Sequence, residues 1–174
     1  MSKKTDRLLL VMNILSWIVF IGLMVKAGVI LISYGVSIGN PEGAKNLYNG
    51  LNLYNLRKFD FWYYTQEVSL LAALPILEAY IAYLMIRVLS TIKMSNPFTM
   101  EVSELLERIS YFILLTWVAA MLYNRHTAWL AKKIQGLQEN PISGEFIFLA
   151  GVVFVMSQIF KKGVEIQTEN ELTV

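Results

Sequence analysis

Four stretches of the chain are almost free of polar side chains, and charged or turn-forming residues bound each of them. The first, LLLVMNILSWIVFIGLMVKAGVILISY over residues 8–34, is interrupted chiefly by Asn13 and Lys26. A helix that crosses a bilayer needs about 20 apolar residues, so this run spans with room for tilt. The second, VSLLAALPILEAYIAYLMIRVL over residues 68–89, carries Pro75, Glu78 and Arg87. Membrane helices tolerate proline where neighbours satisfy the freed carbonyl, and a kink is expected over residues 71–75. The third, ISYFILLTWVAAMLY over residues 109–123, is about 22 Å long at 1.5 Å per residue, short of a hydrocarbon core about 30 Å thick. Helical pattern continues on both sides of it, which predicts one long helix with protruding ends. Asn96-Pro97 is a start signal, because asparagine caps helices and proline suits their first turn. Thr99 is the alternative cap. The fourth, FIFLAGVVFVMSQIF over residues 146–160, extends through Glu145 and Lys161, which reach toward the interfaces.

These runs predict helices near 8–34, 64–93, 97–135 and 143–164, with no sheet. The expected fold is all-α: an antiparallel four-helix transmembrane bundle, one domain over residues 1–174, with a short cytosolic tail. Residues 35–62 form a long Asn-, Gly- and Tyr-rich connection, and 136–143 a short one. The first run follows Lys3, Lys4 and Arg7 as a signal peptide would, but it exceeds an apolar stretch of about 7–15 residues and is read as retained. Composition agrees. The chain is 56% hydrophobic and 16% charged, with mean hydropathy +0.50, against about 25% charged in soluble domains. A net charge of +2 gives no case for direct nucleic-acid binding.

An even number of spans places both termini on one side. With the amino terminus inside, the inner regions hold Lys3, Lys4, Arg7, Arg87, Lys93, Arg108, Lys161 and Lys162, and the outer ones Lys45, Arg57, Lys58, Arg125, Lys132 and Lys133. The excess of basic residues favours cytosolic termini in a multi-pass protein of the inner cell membrane. Aromatic residues 59–64, FDFWYY, then fall at the outer interface, where amphipathic rings are favoured.

Lys26 and Glu78 are the clearest ionisable residues inside spans, where such groups are rare and often functional. Their depths, about 12 and 15 Å below the outer ends of consecutive antiparallel helices, make them a candidate charge pair. Such a pair would fix helix register or serve a ligand or proton. Glu67, Arg87 and Glu145 lie near span ends, where snorkelling accounts for them.

GVSIG at residues 35–39 matches a nucleophile elbow, with Asp60 and His126 following in hydrolase order. The context is wrong: the elbow needs a strand before the serine and a parallel sheet around it. The glycines are better read as ending the first helix and shaping the turn. With one histidine and no cysteine there is no metal constellation, no disulfide and no thiol nucleophile. No phosphate loop or dinucleotide fingerprint occurs, so no cofactor is expected. An enzyme is not expected.

Asn96-Pro97-Phe98-Thr99 after the second span, and the closing stretch FKKGVEIQTENELTV, resemble a bacterial family of small four-span membrane proteins of unknown function. Members are often encoded beside a small Cro-like helix-turn-helix regulator. The resemblance therefore implies a membrane partner for a transcription regulator, and brings no catalytic residues. The expected partner surface comprises Asn96, Pro97, Phe98, Glu101, Glu104, Glu107, Glu165, Glu169 and Glu171, with Leu172 and Val174 as an apolar anchor. Its acidity complements the basic face of a DNA-binding protein. Residues 163–170 should continue the fourth helix, or reform it after a break at Gly163. The other reading is a small ligand-binding or transport bundle that uses Lys26 and Glu78. A bundle this small is also a candidate homo-oligomer.

Overall fold

The computed structural model describes residues 3–92, 97–137, 140–143 and 146–172. It has α1 (Lys3–Gly39), a 3₁₀ helix (Pro41–Asn46), α2 (Tyr54–Phe59), α3 (Phe61–Thr91), α4 (Met100–Ala131) and α5 (Phe146–Leu172), with no strand among the described residues. Four of these, α1, α3, α4 and α5, are long and apolar enough to cross a membrane. The bundle is antiparallel, with helices packed in chain order: α1 on α3, α3 on α4, α4 on α5. α3 and α4 form its centre and α1 and α5 its flanks, and none of the most apolar stretch of α1 is buried. That exposure is what lipid contact requires of a flanking span.

The spans keep their polar side chains quiet in the same way. Ser16, Thr116 and Thr127 donate to the carbonyls of Met12, Phe112 and Tyr123, and Ser110 and Ser157 to those of Glu107 and Phe154. A hydroxyl bonded to its own helix needs no partner in hydrocarbon.

Two apolar clusters hold the bundle, one at each end. At the loop end, Ile30, Tyr64, Val68, Ala72 and Leu130 from the spans pack with Ala44, Leu47, Leu53 and Leu56 of the long connection. That connection is a built cap. Asn40 accepts from the Glu42 amide to start the 3₁₀ helix, and Asp60 accepts from the Trp62 and Tyr63 amides at 2.7 and 2.9 Å to start α3. Arg57 reaches back to α1. Its Nε donates to the Ser37 carbonyl and a terminal nitrogen to that of Ile38, both at 3.3 Å, supplying a cation and donors to a helix carboxyl end. α1 accordingly runs to Gly39, five residues past the apolar run, and Gly35 lies inside it. At the terminal end, Leu84 and Val88 pack with Val102, Leu105, Leu106, Ile109, Ile113 and Ala150.

α4 takes the alternative cap and stops short of its expected end, and α5 continues past Gly163 as one of its two expectations had it. α4 starts at Met100 with Thr99 as its cap, which accepts from the Val102 amide. Pro97 therefore precedes the helix, and Asn96 lies outside the described residues. α4 ends at Ala131 rather than near 135, because the chain turns through Gly136 at φ 81°. α5 runs unbroken through Gly163 to Leu172.

Candidate functional site

Three places bring polar or exposed groups together. The first is at the loop end, between α3 and α4. Glu67, 1% exposed, lies in the second turn of α3 and faces the last turns of α4. Its Oε2 meets His126 Nδ1 at 2.5 Å, and its Oε1 accepts from the Thr127 hydroxyl. His126 Nε2 is buried without a hydrogen-bond partner among the described residues, and the ring stacks on Trp129. The snorkelling expected of Glu67 does not occur. Its side chain points across the helix interface, where two groups satisfy it and lock α3 to α4. Nearby, Asn124 clamps the α4–α5 connection through both the amide and the carbonyl of Ile142.

Those contacts remove the nucleophile elbow. The Ser37 hydroxyl is bound to Tyr64 Oη at 2.7 Å and to the Tyr34 carbonyl, Asp60 caps α3, and His126 holds Glu67. The three are not assembled. Among the described residues, no group of three or more His, Asp or Glu side chains could hold a metal ion.

The second place is within the membrane span. Between α1 and α3 lies a cleft of about 580 Å³ lined by Met12, Leu15, Ser16, Val19 and Leu23 of α1 and by Glu78, Ile81, Ala82 and Met85 of α3. Ile113 and Leu149 complete its wall. Lys26 and Glu78 are on packed helices but make no ion pair. The pairs among the described residues are Glu42–Lys45, Glu67–His126, Arg87–Glu101 and Glu165–Lys162. Lys26 instead sets its ammonium 5.8 Å from the centre of the Tyr48 ring. Depth, which residue counting gives, brings two residues level, whereas contact also needs the right rotation about each helix.

The third place is the terminal end. Phe98 folds onto α5, its ring 5.2 Å from that of Phe160 and directly over Gly163. A Cβ at Gly163 would stand 2.6 Å from the Phe98 ring, so only glycine permits this seat. One turn away, the Ser103 hydroxyl donates to the Ser157 carbonyl at 3.0 Å. Phe98, the start of α4 and the α5 extension thereby form one surface. Glu101 on it pairs with Arg87, Glu165 with Lys162, and Glu107 accepts from the Tyr111 hydroxyl. Glu104 is exposed with no partner among the described residues. Phe98, Met100 and Ile166 are exposed apolar groups on this end, and Glu169 follows on α5. Glu171 and Leu172 lie in the last turn of α5, and Val174 lies outside the described residues.

Comparison with known proteins adds one finding. No curated protein and no solved structure matches the chain. A family model described as a protein of unknown function, DUF2975, matches residues 9–174, so this four-span chain belongs to that family.

Proposed function

We propose that this membrane protein is a non-enzymatic regulatory partner that docks a small, basic, cytosolic DNA-binding protein on its terminal end. The seat of Phe98 on Gly163 carries the reading. It fixes the segment leading into α4 against the α5 extension, so the surface exists before any partner arrives. Preformed surfaces bind with less ordering cost. α5 is 27 residues long, about 40 Å at 1.5 Å per residue, and so outruns a hydrocarbon core of about 30 Å. Phe98, Met100 and Ile166 offer apolar contact, and Glu104 an uncompensated charge beside them. The basic bias of the terminal side favours a cytosolic position for this surface. The resemblance to four-span proteins encoded beside helix-turn-helix regulators supplies the partner's class.

The test uses a purified small helix-turn-helix regulator, the class that the resemblance implies, from the same organism against the full-length membrane protein in detergent. Glu104→Lys should weaken capture by reversing the free charge, and Phe98→Ala should weaken it by unseating the loop. Wild-type capture by both variants would refute the reading.

A further inference from the structure

Glu78 lies near the middle of α3, half-buried, and is the one ionisable residue lining a cleft whose other walls are almost wholly apolar. A carboxylate at that depth is costly unless something compensates it. No hydrogen bond or ion pair does so among the described residues. Lys26 makes no ion pair with it and sets its ammonium over the Tyr48 ring instead. The cleft's volume, about 580 Å³, falls within the range of about 300–1,000 Å³ usual for small-ligand sites. Ser16 lines the same space, its hydroxyl donating to the Met12 carbonyl.

We propose that this cleft binds a lipophilic cation, an amine or quaternary ammonium whose charge rests against Glu78 and whose apolar body fills the space between α1 and α3. The occupant follows from the walls and the charge together. A lipid acyl chain would suit Leu15, Val19, Ile81 and Met85 but would leave the carboxylate facing hydrocarbon. An anionic headgroup would be repelled. A cation with an apolar body compensates Glu78 and buries its own surface on the remaining walls. The cleft lies away from the proposed docking surface at the terminal end and is tested without any partner protein.

The probe is radiolabelled tetraphenylphosphonium, bound to immobilised full-length protein in dodecyl maltoside, with tetraphenylborate as the probe of like shape and opposite charge. Wild type should bind the cation and not the anion. Glu78→Gln should weaken cation binding at least about tenfold, equivalent to about 1.4 kcal/mol. Leu23→Trp, which keeps the carboxylate and narrows the cleft beside it, should weaken binding as well and covers the case in which Glu78→Gln misfolds. Unchanged binding in a folded Glu78→Gln, unchanged binding in Leu23→Trp, or equal binding of cation and anion would overturn the proposal.

Discussion

Replacing Gly163 with alanine should change sign with its surroundings. An alanine Cβ would lie 2.6 Å from Phe98 Cδ1 and 2.9 Å from Cγ. Carbon atoms settle at about 3.5–4.0 Å, so the ring must retreat by about 1 Å. Overpacking of this kind costs about 1–3 kcal/mol, and retreat also weakens the ring contact with Phe160. Against this, alanine is favoured over glycine inside a helix by about 1 kcal/mol. The single change should therefore destabilise by roughly 1 kcal/mol. In a Phe98→Ala background the clash is gone and only the helix preference remains, so the same change should stabilise by about 1 kcal/mol. A double-mutant cycle, read by SDS-titrated unfolding in mixed micelles with circular dichroism, should thus give a coupling of roughly 2 kcal/mol. A Gly163→Ala effect of the same sign and size in both backgrounds would refute the seating of Phe98 on α5, and with it the preformed surface.

Other outcomes follow from the same packing. His126→Leu leaves Glu67 buried with Thr127 alone and should cost about 1–3 kcal/mol, whereas an exposed change such as Arg125→Gln should be nearly silent in the same unfolding assay. Arg57→Met removes donors from the end of α1 and should cost about 1 kcal/mol. Hydrogen exchange should then quicken locally over residues 53–60 and at the end of α1, without faster exchange across α4. Lys26→Met and Glu78→Gln should be additive in stability, since no ion pair joins them; a coupling above about 1 kcal/mol would show that the pair closes in the bilayer.

The spans were legible because apolar run length is a one-dimensional signal, and lipid forces every such run to be helical. What lay at their ends was not. α1 outlasts its apolar run because Arg57, twenty residues on, serves its carbonyls, and no local pattern announces that partner. Thr99, itself extended at φ −127° and ψ 149°, caps α4, while the residue before it spends its ring on Gly163 of α5. The glycine left a break open beside continuation, and its actual role, making room, depends on the Phe98 ring from the segment that leads into α4. The short helices of the loop-end cap were missed because segments of six residues are unstable alone and form here by burying Leu47, Leu53 and Leu56. Glu67 and His126 could have been found. Each lies within two turns of the facing ends of consecutive antiparallel spans, so folding α3 against α4 on paper brings them level.

The surface around Phe98 and the α5 extension should face the cytosol, where a DNA-binding partner would meet it. The chain contains no cysteine, so single cysteines report position without background. Glu42→Cys lies on the exposed 3₁₀ helix of the loop end, and Thr168→Cys on the exposed extension of α5. With a membrane-impermeant maleimide, Glu42→Cys should label in intact cells and Thr168→Cys only after lysis. Labelling of Thr168→Cys in intact cells, with Glu42→Cys protected, would place the surface outside and contradict the account.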